Sequence, residues 1–260
     1  MVKKLMTLFS KEISGLHEAA YLLAFFAFLS QILALVRDKL LAYTFGASHT
    51  LDIYYAAFRL PDLIFVSIAS VVSASVLVPF FIEKISKDSS EGPRFVNNIF
   101  SVFFLAVIIV SAIVFFYTSP LLKILLPGLA DDASFPQLIS ATRILLLSPI
   151  FLGISNFLSS ITQMYRRFLV YALSPLVYNL GIIGGLLLLY PIYGFNGLIY
   201  GVVIGSFLHM AIQIPFIINK GLFPRLRLNI DWRSIRSVVL VSLPRTLTLS
   251  SNQLASFFLI

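Results

Sequence analysis

FLVYALSPLVYNLGIIGGLLLLYPIYGFNGLIYGVVIGSFLHMAIQIPFIIN, residues 168–219, contains no Asp, Glu, Lys or Arg. A helix needs about 20 apolar residues to cross the hydrocarbon core of a bilayer, so the stretch is long enough for two crossings. Its natural break is Pro191 to Gly197 (PIYGFNG), which gathers turn-forming residues in one place. Two helices joined by a tight turn at membrane depth decide the class of the whole chain.

Other uncharged runs extend from Ala19 to Val36, Leu63 to Ile82, Phe95 to Leu122 and Ile144 to Tyr165. Over its 260 residues the chain is 59% hydrophobic and 12% charged, with mean hydropathy +0.97; soluble domains carry about 25% charge. Spans are expected near 17–45, 51–83, 95–119, 137–165, 168–190 and 195–219, with a seventh beginning near 235. A transmembrane barrel would show segments of about ten residues alternating in polarity, and none occur. The expected fold is therefore all-α: a polytopic transmembrane bundle with a six-helix N-terminal lobe (17–220), a basic linker (221–234) and the start of a seventh span (235–260). The sequence stops inside the apolar run of that seventh span and reads as part of a longer chain.

Loop charges give an orientation. Lys3, Lys4 and Lys11 precede the first span, Lys84, Lys87 and Arg94 follow the second, Arg166 and Arg167 follow the fourth, and Lys220, Arg225, Arg227, Arg233 and Arg236 follow the sixth. The alternate connections hold only Lys123. Basic loops stay cytoplasmic, which puts the N-terminus inside. The same loops account for the net charge of +8 and pI near 9.8 through topology and anionic headgroups, so nucleic-acid binding is not expected. Residues 1–16 read as a cytoplasmic or interfacial segment. A cleaved signal peptide is not expected, because the first apolar segment is too long and has no small-residue cleavage site.

There is no cysteine, and His17, His49 and His209 lack metal-ligand spacing. No nucleophile–base set, P-loop or dinucleotide fingerprint is present, so neither an enzyme nor a cofactor is expected. His209 in the sixth span is either an interhelical hydrogen-bonding residue or a proton relay, and the first reading is preferred.

Two arginines interrupt the first two spans: Arg37 in AFFAFLSQILALVRDKLLAYTFG (24–46) and Arg59 in LDIYYAAFRLPDLIFVSIASVVSASVLVPFF (51–81). An ionised side chain at the bilayer centre costs about 3 kcal/mol on insertion scales, so each should face a polar interior or a partner. Arg37 lies about eight residues before Phe45, roughly 12 Å along a helix. Asp52 and Arg59 are two turns apart on one face, Asp62 follows Arg59 by three, and Pro61 should kink the helix nearby. Arg37–Asp38 and Arg59–Asp62 are thus either structural ion pairs or the wall of an anion site.

The order of residues in SQILALVRDKLLAYTFGASHTLDIYYAAFRLPDL (30–63) resembles the opening of the MurJ (MviN) family of lipid II flippases. Ser30, Leu33, Arg37, Asp38, Ala42, Phe45, Gly46, Asp52, Ala57, Phe58, Arg59, Leu60 and Pro61 carry the likeness, and Val78-Pro79, Pro127-Gly128, Arg167-Phe168, Ser174-Pro175 and Asn179 extend it. The resemblance implies two six-helix lobes about a central cavity, of which this chain supplies the first and part of the second. It further implies alternating-access transfer of an undecaprenyl-pyrophosphate-linked peptidoglycan precursor across a bacterial inner membrane, with cavity arginines on the diphosphate. Guanidinium forks suit that role, since they bind phosphate oxygens bidentately and stay charged when desolvated.

The chain departs from the family pattern where Gln31 stands in place of a cavity arginine and Ala34 in place of glycine. The run after Asp62 also lacks two further expected arginines. Arg245, in Leu243-Pro244-Arg245, is a substitute cation or one that snorkels to the surface; Arg143 is expected to snorkel to the outer interface. The candidate substrate-binding set is Arg37, Arg59, Asp38, Asp52, Gln31 and Arg245. Besides lipid II the residues admit another lipid-linked oligosaccharide, a cation-coupled antiporter using the aspartates, or a membrane scaffold whose arginines are dry ion pairs.

Overall fold

The computed structural model describes residues 15–69, 72–87, 91–227 and 229–258. The interfacial segment expected at 1–16 falls almost wholly outside them. In chain order the helices are α1 (Leu16–Phe45), α2 (His49–Ala57), α3 (Arg59–Ala69), α4 (Ala74–Lys87), α5 (Glu91–Phe116), α6 (Thr118–Leu125), α7 (Phe135–Leu145), α8 (Leu147–Met164) and α9 (Phe168–Gly184). A π-helical turn, Gly185–Leu189, carries α9 into α10 (Tyr190–Tyr193); then come α11 (Phe195–Ala211), α12 (Ile214–Asn219) and α13 (Trp232–Phe258). No strand occurs among the described residues, so the chain is an all-α bundle.

Among the described residues, five helical stretches are long and apolar enough to cross a membrane: His17–Phe45, Gly92–Phe116, Phe135–Met164, Phe168–Tyr193 and Phe195–Asn219. The continuous span expected at 51–83 is not one of them: the structure divides it into α2, α3 and α4, and Asp52, Arg59 and Asp62 place three charges within 49–69. Its first interruption is at Phe58, whose amide turns back to the Tyr55 carbonyl at 3.3 Å. Pro61 sits three residues on: it has no N–H for the Ala57 carbonyl, and its ring crowds that carbonyl. The same offset recurs at Tyr117 before Pro120 and at Leu146 before Pro149, which divide α5 from α6 and α7 from α8. The second interruption includes Val72 and Ser73, weak helix formers that precede α4.

Among the described residues, two large apolar cores and a small one around Ile64, Val107 and Leu146 lie along the bundle. One large core gathers α4, the start of α5, the end of α8, and α12 with α13 around Phe81, Phe95, Phe100 and Phe157. Phe81 meets Phe157 edge to face with centroids 6.1 Å apart, and Phe100 lies 5.3 Å from the same ring. Such contacts add about 0.5–1.5 kcal/mol each beyond burial. The other large core joins α1, α2, α7, α9 and α11 through Leu41, Ala57, Leu138, Ile182 and Ile199.

α9 and α11 approach backbone to backbone. A Cβ on Gly181 would lie 2.3 Å from the Gly205 Cα, and one on Gly185 2.4 Å from the Gly201 Cα. Glycines spaced by four on both helices make this approach possible, which matters in lipid, where dispersion and not hydrophobic burial drives association. Where α8 meets the end of α11, Ser155 Oγ lies 2.6 Å from His209 Nδ1, Gln213 donates to the Ser155 carbonyl at 3.2 Å, and Ser159 donates to Gln213 Oε1 at 3.0 Å. His209 is thus an interhelical hydrogen-bonding residue, and these polar groups are satisfied inside the bundle.

α1 packs mainly on α9 and leaves Tyr21, Phe25, Phe28, Leu35 and Tyr43 exposed. An apolar face of this size suits lipid or a neighbouring helical unit.

Candidate functional site

The short turn after α1 is made at Gly46, whose φ of +58° favours a residue without Cβ. It folds α2 back beside the end of α1, α3 continues the wall from α2, and α9 closes the third side. Between them lies a cavity of about 770 Å³ whose wall includes Arg37, Asp38, Asp52, Arg59, Asp62 and Tyr178. Arg37 and Arg59, from separate helices, therefore border one space.

Arg37 is fixed on two sides. Its Nε and Nη2 both reach Asp38 Oδ1 at 2.8 Å, and Nη1 donates to Asn179 Oδ1 at 2.9 Å. Asn179 is held in turn by its Nδ2, which donates to the Pro175 carbonyl at 3.1 Å and to Ser30 Oγ at 3.4 Å. A guanidinium has five N–H groups, so these bonds leave capacity for an oxyanion. The Arg37 side chain is 23% exposed and Asp38 is 50% exposed, so the pair is open to the cavity. Arg59 and Asp62 are electrostatic neighbours on α3, and Asp62 also faces Tyr178. Tyr54 and Tyr55 add aromatic wall beside Arg37 and Asp38.

Three carboxylates share this wall with two guanidinium groups. Asp38 is engaged by Arg37 and Asp62 lies beside Arg59, while Asp52 is exposed. A polyvalent anion would draw the guanidinium groups partly from their carboxylates, as charge-assisted bonds to phosphate permit.

The other expected residues lie elsewhere. Gln31 is exposed on α1, six residues and about 9 Å of helix from Arg37, and is not on the cavity wall. Its neighbour Ser30 accepts the hydrogen bond from Asn179. Arg245 falls within α13, and its side chain lies outside what is described. Arg143 donates from Nε to the Phe115 carbonyl at 3.1 Å and lies over the Phe115 ring. Asn179, Tyr54 and Tyr178 belong to the site and are absent from the set expected on sequence. The sequence signal for Asn179 is a lone amide in an apolar run, which at membrane depth calls for a partner. Among the described residues no group of three His, Asp or Glu could hold a metal ion.

A clamp between the first residue of α2 and the turn before α7 lies near the cavity rim, to which Leu126 and Leu129 contribute. Asp132 Oδ1 accepts the Ser134 amide at 2.7 Å and meets His49 Nε2 at 3.1 Å. The Ser134 amide first, and then His49, hold the Asp132 carboxyl below its ordinary value of 3.8. A lowered folded-state value stabilises the protein above the unfolded value and loses that contribution as pH falls through the folded one. Asp132→Asn is therefore expected to lower the melting temperature at neutral pH. The gap from the parent should close as pH falls below about 4, as thermal unfolding at stepped pH would show.

The family model described as lipid II flippase MurJ matches residues 41–259. Among curated proteins, the lipid II flippase MurJ of Burkholderia cenocepacia is 25% identical over 241 residues, covering 88% of this chain and 46% of its own length. A probable lipid II flippase MurJ of Aquifex aeolicus is 24% identical over 246 residues, covering 94% of this chain and 48% of its own. One from Buchnera aphidicola subsp. Baizongia pistaciae is 28% identical over 213 residues, covering 78% and 41%. A solved structure described as lipid II flippase MurJ in an inward closed conformation superposes with a TM-score of 0.73 at 25% identity, covering 88% of this chain and 47% of that one. The chain spans about half the length of these relatives.

Proposed function

Since the chain belongs to the lipid II flippase MurJ family, we propose that it forms the first lobe of a transporter that moves lipid II, an undecaprenyl-pyrophosphate-linked peptidoglycan precursor, from the inner to the outer leaflet of a bacterial inner membrane. The family match does not favour the antiporter or scaffold readings.

The observation that carries the proposal is one cavity bordered by Arg37 and Arg59 at the ends of broken and turned helices. In this reading the diphosphate engages both guanidinium groups, Asn179 keeps Arg37 aimed at it, and the polyprenyl tail stays in lipid. A second lobe, expected in the complete protein, closes the cavity and rocks against the first. The N-terminus and the basic connections face the cytoplasm, as their lysines and arginines direct. No cofactor is required.

The test is genetic. The complete protein should restore growth to cells depleted of their own flippase, and Arg59→Ala should fail to do so at equal membrane abundance. Full rescue by that variant would remove Arg59 from the mechanism.

A further inference from the structure

On the basic face of the bundle the segment after α12 is laced to α5 by side chains of three α5 residues. Asn97 Oδ1 accepts the Arg225 amide at 2.7 Å, and Ser101 Oγ accepts the Arg227 amide at 2.7 Å. Asn98, which is buried, accepts the Asp231 amide through Oδ1 and donates to the Asp231 carbonyl through Nδ2, both at 2.9 Å. This lacing brings together cations that are far apart in sequence. Lys84 of α4, Arg94 of α5 and Arg227 of the laced segment surround a pocket of about 340 Å³, with Asp231 the single acid among its described lining residues.

Arg94 and Arg227 come to this pocket from separate chain segments, so cations outnumber acids on its described wall. Positive-inside topology explains cations on this face, but not their convergence from three chain segments on one concavity, where like charges repel. Arg94 and Arg227 are exposed, so their guanidinium groups are open to solvent. Phosphate oxygens suit such forks, and the Asn98 and Asn229 amides on the same wall can add neutral donors.

We propose that this pocket binds a phosphate-bearing anion, either an anionic phospholipid headgroup or free phosphate, and that the bound anion fastens the segment after α12 to α4 and α5. That segment leads into α13, so the anion would brace the connection between the first lobe and the seventh span. The site is separate from the Arg37–Arg59 cavity, and the proposal does not depend on the transport reading.

The experiment uses the complete protein, delipidated in detergent, with phosphatidylglycerol, phosphatidylcholine or inorganic phosphate added, read by native mass spectrometry and by hydrogen exchange. Phosphatidylglycerol should be retained roughly tenfold better than phosphatidylcholine. Its binding should slow exchange at the Arg225, Arg227 and Asp231 amides. Arg94→Gln and Arg227→Gln should each remove most of that preference, and Lys123→Gln, on the other face, should leave it intact. Equal protection by millimolar phosphate would assign the site to the free anion. If neither anion changes exchange at those amides in the parent protein, the proposal is overturned without reliance on any variant. Retention of the full preference by both Gln variants would overturn it equally.

Discussion

Arg37→Ala in the complete protein is expected to weaken binding of a diphosphate-terminated lipid by roughly 30-fold or more. Removing one member of a desolvated, hydrogen-bonded charge pair costs about 2–5 kcal/mol, and each 1.4 kcal/mol is tenfold in affinity. Arg37→Lys should recover little, because a single ammonium cannot span Asp38, Asn179 and a ligand as the fork does. Asn179→Leu keeps the charge but releases its aim, so its loss should fall between those of the parent and Arg37→Ala. Asp38→Asn separates the anion site from its rivals. It removes the carboxylate that competes for Arg37, so lipid diphosphate should bind at least as well. A site built around that acid for a cation would instead be lost. Isothermal titration or native mass spectrometry on the purified variants reads all four.

A large structural effect is expected at Gly201. Its Cα lies where a Cβ on Gly185 would come within 2.4 Å, and a Cβ on Gly201 would meet the Gly185 Cα at the same distance. Backbone opposes backbone here, so no side chain can swing aside. Overpacking a core costs about 1–3 kcal/mol where side chains can adjust. Gly201→Val should therefore exceed about 3 kcal/mol and separate α9 from α11. Gly184→Val is the matched control: it lies in α9, one residue from Gly185, but a Cβ there meets nothing within 4 Å. Thermal unfolding in detergent should show a large drop for Gly201→Val and a small one for Gly184→Val. Equal effects would mean that helix propensity, not close approach, governs this interface.

The amino-acid sequence makes the lipid-crossing character plain, because uncharged runs of this length have few other uses. It also points to Arg37 and Arg59 through the cost of charge at depth. The division of the second span is harder to read. Pro61 announces a kink, but hydropathy is blind to helix breaks, so 51–83 reads as one rod although the structure makes three. The common offset at Phe58, Tyr117 and Leu146 shows that the information is present as prolines three residues downstream. The glycine contact between α9 and α11 is likewise written in Gly181, Gly185, Gly197, Gly201 and Gly205, with both helices joined by a short turn. Asn179 is visible as a polar residue in an apolar run, but its partner on α1 lies 142 positions away, and only the packing of α9 against α1 selects it. Gln31 marks the opposite limit, since alignment to a pattern gives a residue its place in sequence and not its direction on the helix.

Joint recognition of a diphosphate by Arg37 and Arg59 is tested most directly by comparing two affinities of the complete purified protein, for undecaprenyl diphosphate and for undecaprenyl monophosphate. Both are measured in the parent and in the Arg37→Ala/Arg59→Ala double variant. The parent should clearly prefer the diphosphate, and the double variant should lose that preference, with monophosphate binding changed much less. Equal affinity for the two lipids in the parent, or a preference that survives loss of both arginines, would contradict the proposed role of the pair.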